Sequence, residues 1–264
     1  MKKPLILVTN DDGVAAPGIR ALVEAAKAIG DVVVVAPDSP QSGQGHAITI
    51  SDPLRLHQVD LFEGVDIAYE CSGTPVDCVK LAKHVVLKGR EVDLCVSGIN
   101  HGSNASINII YSGTMSAAME ASLEGIDSIG FSLLDYSWDA DFQAAREYAR
   151  QIMEYVLEHG LPQGCQLLNV NFPNLPLPEI RGIRLCRQAD ARWRENFVEA
   201  TDPRGQKYYW LTGEFINEDQ AEDTDIWALQ NGYVSIVPSG HDLTHYAALP
   251  YLKAMETSAI TEKS

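Results

Sequence analysis

The sequence predicts an α/β fold with a doubly wound, mostly parallel sheet, and three observations carry that expectation. Short apolar runs at residues 5–8, 32–35 and 92–96 have the pattern of strands buried on both faces. Between them lie stretches whose apolar residues recur at helical spacing. The first strand, helix and second strand fit within about thirty residues, the length of one βαβ unit. Such alternation sets strands side by side with helices on both faces.

Taken in order, Leu5, Ile6, Leu7 and Val8 form the first strand. Pro17 suits the first position of a helix, where its missing N–H would have had no partner anyway. Ile19, Leu22, Val23, Ala26 and Ile29 then share one face, and Gly30 supplies the stop. Residues 32–35 make the second strand. Thr74-Pro75 opens another helix, with Val79, Ala82 and Val86 at helical spacing. After the strand at 92–96, Ser112-Gly113-Thr114 leads into a helix in which Met115, Ala118, Met119 and Ser122 form a narrow face. Residues 126–133 resume a strand pattern, 139–159 form a long amphipathic helix ended by Gly160, and 167–172 add a central strand. Beyond this point the character changes. Prolines cluster at Pro173, Pro176 and Pro178, and aromatics at Trp193, Phe197, Tyr208, Tyr209 and Trp210. The chain therefore divides into a core, residues 1–172, and a hairpin-rich segment, residues 173–264, that closes the fold with a late strand at 233–237.

The bulk numbers narrow the function. Twenty basic against 36 acidic side chains leave a formal charge of −16, a field that repels nucleic-acid polymers and anionic membranes. A phosphate-bearing substrate would need a local cation to reverse it. Cys71, Cys78, Cys95, Cys165 and Cys186 are scattered without a C-x-x-C pair, the usage of a reducing, cytoplasmic compartment. The apolar run after Lys2 and Lys3 stops at Thr9-Asn10-Asp11-Asp12, too short for a signal peptide, and no stretch is long enough to span a membrane.

In a parallel α/β sheet, ligands bind outside the carboxyl ends of the strands, which selects three loops. They are Asn10-Asp11-Asp12-Gly13, residues 38–46 with Ser42, Gly43 and Gly45, and residues 97–104 with Asn100 and Asn104. Short oxygen-bearing side chains and glycines fill all three. Each could simply cap the helix that follows. Two adjacent carboxylates exceed what a cap requires, however, because each raises the other's pKa. Three such loops on one edge favour a hard-cation site, suited to Mg²⁺, Mn²⁺ or Ca²⁺, with Mg²⁺ or Mn²⁺ the expected ion. Ser112-Gly113-Thr114 at a helix start offers free backbone N–H groups to a phosphate, or a plain N-cap. His46 and His101 lie in these loops as candidate acids or orienting groups. Trp193 and Tyr208 to Trp210 could stack a base or pack a subunit contact. Walker A, G-x-G-x-x-G and G-x-S-x-G motifs are missing, so NTP-driven, dinucleotide and serine-esterase chemistry lack support.

Val8-Thr9-Asn10-Asp11-Asp12-Gly13, Ser42-Gly43, Ser97-Gly98-Ile99-Asn100, Tyr111-Ser112-Gly113-Thr114, Leu168-Asn169-Val170-Asn171 and Gly232-Tyr233-Val234-Ser235 together resemble the SurE (survival protein E) family. The resemblance implies a Rossmann-like phosphatase that hydrolyses nucleoside 5′- and 3′-monophosphates and, in some members, short polyphosphate. It implies one divalent cation per subunit on Asp11, Asp12, Ser42 and Asn100. Phosphate contacts would come from Asn104, Ser112, Gly113 and Thr114, with backbone amides near Gly43. Members assemble as homodimers or homotetramers, often by exchanging C-terminal segments. Ser106, where the family pattern has glycine, and Asp127, where it has proline, depart from it and bear on loop shape and substrate preference.

The expected chemistry is metal-assisted hydrolysis with Asp11, Asp12, Asn104 and Ser112 as the catalytic set, Asp11 accepting the proton of the attacking water. Two rivals weaken on inspection. A haloacid-dehalogenase-like phosphatase needs a nucleophilic Asp where this chain has Asn10, and an amide forms no aspartyl phosphate. A phospho-receiver signalling module needs an acceptor Asp where this chain has Asn100.

Overall fold

The computed structural model describes residues 3–256. In chain order the first half comprises β1 (Leu5–Thr9), α1 (Pro17–Lys27), β2 (Asp31–Pro37), β3 (Leu56–Gln58), β4 (Ile67–Cys71) and α2 (Pro75–Leu81). It continues through β5 (Leu94–His101), α3 (Gly113–Leu123), β6 (Ser128–Leu133), α4 (Gln143–His159) and β7 (Leu167–Phe172). The remainder contributes β8 (Ile183–Leu185), β9 (Ala191–Thr201), β10 (Lys207–Asn217), α5 (Asp225–Gln230) and β11 (Val234–Ser239). Nine strands form one sheet in the order β3-β4-β2-β1-β5-β6-β7-β11-β8. All pairings from β4 to β7 are parallel, while β3 and β11 join antiparallel to β4 and β7.

Alternation along β1 explains the two layers. Ile6 and Val8 pack with Ile19, Leu22 and Val23 of α1 and Ala149, Ile152 and Met153 of α4. Leu5 and Leu7 face the opposite way, into a core shared with Cys78 and Val79 of α2 and Ala117 and Ala121 of α3. This is the doubly wound architecture. Burying both faces requires strands that are apolar throughout, which is why β1 reads as a continuous run.

Several elements depart from the expectations. The strand expected at 92–96 begins at Leu94 and runs on to His101, so residues 97–101 are not loop. Ser97 and Asn100 are polar, yet Ser97 is paired with both Thr9 of β1 and Gly130 of β6, and Asn100 with Ser132 of β6. The register against β6 shifts between Ser97 and Asn100, where Gly98 adopts a φ of 124°. A Cβ there would lie 2.3 Å from the Phe131 carbonyl oxygen, so only glycine permits this approach. Helix α3 is buried on almost every side rather than on one narrow face, and its small residues let it sit tight on the sheet. Helix α4 starts at Gln143 rather than 139. Strands β3, β4 and β8 carry no strong pattern in the sequence. The helix that Thr74-Pro75 opens follows directly on β4, which ends at Cys71. Thr74 then caps α2 in a reciprocal capping box with Asp77.

Beyond residue 173, β8 and β11 extend the main sheet, whereas β9 and β10 pair only with each other as a long antiparallel hairpin. Asp225 of α5, fully buried, ties this part to the core. Its Oδ2 accepts from the Ser106 N–H at 2.7 Å and its Oδ1 from the Ala189 N–H at 3.0 Å. Ser106 itself stands at φ 55°, the left-handed region where a glycine is easiest, and its hydroxyl donates to the Ala189 carbonyl at 2.8 Å. Among the described residues no helix is long and apolar enough to cross a membrane.

Candidate active site

The sheet switches winding direction at β1, which has β2 on one side and β5 on the other, and the crevice over their carboxyl ends is the expected ligand site. Asp11, immediately after β1, is only 3% exposed. Burial, reinforced by the neighbouring Asp12 charge, pushes its pKa up to about 6 despite a hydrogen bond from Thr114 that favours the ionised form. The Thr114 hydroxyl donates to Asp11 Oδ1. Gly113 lets the α3 N-terminus come this close, because a Cβ there would lie 2.7 Å from the Asp11 Cβ and 3.0 Å from Oδ2. The positive end of the helix thus abuts the carboxylate.

Asn100 presents an oxygen to the same point. Its Nδ2 donates to the Gly102 carbonyl at 2.8 Å and the His101 carbonyl at 3.2 Å, turning Oδ1 toward Thr114 at 3.4 Å. The single Thr114 hydroxyl proton goes to Asp11, so Asn100 Oδ1 remains an open acceptor. Asp12 is held from the other side, its Oδ2 accepting from the His101 backbone N–H at 3.0 Å and pairing with His101 Nδ1 at 2.9 Å. Two backbone bonds place the turn that carries Ser42 and Gly43. The Gln41 N–H donates to the Asp11 carbonyl at 2.7 Å, and the Gly45 N–H to the Tyr111 carbonyl at 3.1 Å.

Asp11, Ser42, Gly43, Asn100, Asn104 and Ser112 all line one cleft of about 280 Å³. Asp12, Gly113 and Thr114 do not line it. Thr114 is completely buried with its hydroxyl engaged, so its side chain positions Asp11, and only its backbone is left to meet a phosphate. Ser112 caps α3 by accepting from the Met115 N–H at 3.0 Å. Asn104 is held rigidly, its Nδ2 donating to Ser132 Oγ at 2.8 Å. His101 sits against Asp12, but His46 leaves the site altogether. Its Nε2 pairs with buried Glu120 on α3 at 2.9 Å, and Glu120 also meets Lys80.

The donor set fits a small hard cation, with two carboxylates, an amide oxygen whose nitrogen is turned away, and a hydroxyl on the cleft wall. Among the described residues no three His, Cys, Asp or Glu side chains gather as a metal cluster, so only two anionic ligands would be present.

Other residues of the site escaped the sequence reading. Asn171 Oδ1 accepts the Asn104 N–H, Asn169 Nδ2 donates to the Asn104 carbonyl, and Asn171 Nδ2 donates to Asn169 Oδ1, each at 2.9 Å. Two amides alternating within an otherwise apolar strand were the available signal, since such groups are buried only where something satisfies them. Trp193, which the sequence already offers as a base-stacking candidate, forms an aromatic rim with Tyr111 and Tyr136, its Nε1 donating to Asn108 Oδ1 at 2.8 Å, whereas Tyr208 to Trp210 do not line the cleft. Tyr136 lies in the loop after β6, a carboxyl-end loop that the selection of three had passed over.

Residues 6–195 match the family described as Survival protein SurE. A protein of Cytophaga hutchinsonii named 5′-nucleotidase SurE is 60% identical over 252 residues, covering 96% of each chain. One of the same name from Christiangramia forsetii is 62% identical over 244 residues, covering 92% of this chain and 93% of its own. The crystal structure of the SurE protein from Aquifex aeolicus superposes with a TM-score of 0.83 at 42% identity, covering 96% of this chain and all of that one.

Proposed function

This chain belongs to the SurE family, and from that premise we propose that it is a divalent-metal-dependent nucleotidase working at the cleft between β1, β5 and α3. It is a phosphoric monoester hydrolase of the nucleotidase class. The finer reading is that it cleaves nucleoside 5′- and 3′-monophosphates, and short polyphosphate, in the cytoplasm as a homodimer or homotetramer. The hairpin-rich segment at 173–264 would supply the subunit contact. The observation that carries the metal reading is a nearly buried Asp11, beside Asp12, facing an open Asn100 oxygen and a helix N-terminus. Two adjacent carboxylates so enclosed favour a cation.

Asp11, Asp12, Ser42 and Asn100 would hold Mg²⁺ or Mn²⁺, which when bound supplies charge neutralisation and a water of lowered pKa. The chain's own groups do the rest. The α3 N-terminus, with Ser112, Gly113 and the Thr114 backbone, cradles phosphate oxygens, and Asn104 and the Gly43 turn close the other side. Asp11 Oδ2, the oxygen left free by Thr114, accepts the proton of the attacking water. The aromatic rim of Tyr111, Tyr136 and Trp193 offers faces for a base.

Phosphate release by chelator-treated protein, with each cation returned separately, tests the reading. Nucleoside monophosphates should be hydrolysed only with Mg²⁺ or Mn²⁺ present. Undiminished turnover in excess chelator would end the metal assignment.

A further inference from the structure

The His101 ring is unusually committed for a residue at the end of a strand. Its side chain is 8% exposed, stacked on Trp138 at 5.7 Å between centroids and 5° between planes, with Phe142 edge-on at 5.1 Å. Its Nε2 is buried and unpaired among the described residues, so the ring's one polar contact is Asp12 Oδ2 at 2.9 Å. An ionised carboxylate only accepts, which places the ring proton on Nδ1. The backbone N–H of the same residue donates to the same oxygen at 3.0 Å. Two donors on Oδ2 leave Oδ1 as the one Asp12 oxygen without a partner among the described residues.

We propose that His101 is a positioning residue that pins Asp12 through Nδ1–H, so that Oδ1 alone is presented to the cation. The inference rests on the metal reading above. An aromatic slot fixes the ring, the ring fixes the carboxylate, and the carboxylate enters the site without the entropy cost of choosing a rotamer. The backbone donor survives any substitution at this position other than proline, so mutation isolates what the ring adds.

The test is Mn²⁺ affinity without substrate, followed by electron paramagnetic resonance of the free ion, in His101→Phe and His101→Asn. Phenylalanine keeps the slot filled but has no donor; asparagine's Nδ2 stands near the place of Nδ1. Affinity should fall tenfold or more in His101→Phe and stay within about threefold of wild type in His101→Asn, the range of effects from outer-sphere partners. At saturating Mn²⁺ the kcat should change less than the dissociation constant does. Melting in chelator establishes that each variant folds, and His101→Met replaces the phenylalanine variant if that one does not. Wild-type affinity in a folded donor-less variant would overturn the proposal, as would equal weakening in His101→Asn. Wild-type protein that binds no Mn²⁺ would remove the metal reading itself.

Discussion

The carboxyl edge of the sheet and the β9–β10 hairpin treat their side chains in opposite ways. At the edge, Asp11, Asn100, Asn104, Asn169 and Asn171 are polar yet at least nine-tenths buried, held in a hydrogen-bonded lattice that runs from β5 to β7. On the hairpin, Phe197, Trp210 and Leu211 are apolar yet 60–64% exposed, and eleven cross-strand pairs join the two strands to each other. A buried polar group without its partner costs about 1–3 kcal/mol, so the edge tolerates few single exchanges. The hairpin's apolar surface is a different kind of burden, relieved only when something covers it.

The contrast is tested most severely at Asp12. Asp12→Asn keeps the shape, and the amide oxygen can still accept from His101, but one charge is gone. Activity should fall on the order of 100-fold or more, as for loss of a transition-state electrostatic group. In chelator the variant should melt at or above wild type, because burial still raises the Asp11 pKa but the repulsion that the Asp12 charge adds to it has been removed. Mg²⁺ at a hundredfold excess over its dissociation constant should stabilise wild type by about 2.7 kcal/mol and the variant hardly at all. Thermal melts with and without Mg²⁺ decide it. Equal destabilisation in both conditions, with activity retained, would make Asp12 a mere cap.

A second test concerns what burial costs at the edge. The folded pKa of Asp11, about 6, lies above its ordinary value of 3.8. The native state therefore holds a proton that the unfolded chain releases between those values, and stability is lost as pH rises through that window. Above it the penalty is complete, about 3 kcal/mol in metal-free protein if the whole gap counts. Urea unfolding in chelator at pH 4, 5, 6 and 7 should show Asp11→Asn gaining on wild type as pH rises. A constant difference would mean that Asp11 is solvated.

The smallest effect on chemistry belongs to the hairpin. Trp210→Ser removes exposed apolar surface and should leave kcat/KM within about twofold, the range of ordinary surface changes. Light scattering should at the same time report a smaller species at low protein concentration. Loss of activity as deep as that of Asp12→Asn would bring Trp210, and not Trp193 alone, into the site.

Much of this was legible without coordinates wherever one physical requirement acted locally. The run Leu5 to Val8 had to be a two-face-buried strand because four consecutive apolar residues have no solvated side. Asp11 next to Asp12 marked the end of β1, because two adjacent carboxylates repel, while it is the fold that sets Asn100 and the α3 N-terminus beside Asp11. Pro17 and Thr74 marked helix starts through their own backbone chemistry. Those inferences needed only neighbours in sequence.

Tertiary structure decided whatever depended on partners far along the chain. β4 and β8 are strands because β2 and β11 pair with them, not because their residues insist on it. His46 and His101 looked alike as loop histidines, but Glu120, 74 residues away, draws one out of the site, and Asp12, 89 residues away, holds the other in it. The Thr114 hydroxyl is spent on Asp11 rather than on a phosphate because Gly113 lets the helix approach so closely. Hydrogen bonds act over about 3 Å, and the fold alone determines which groups come within that reach.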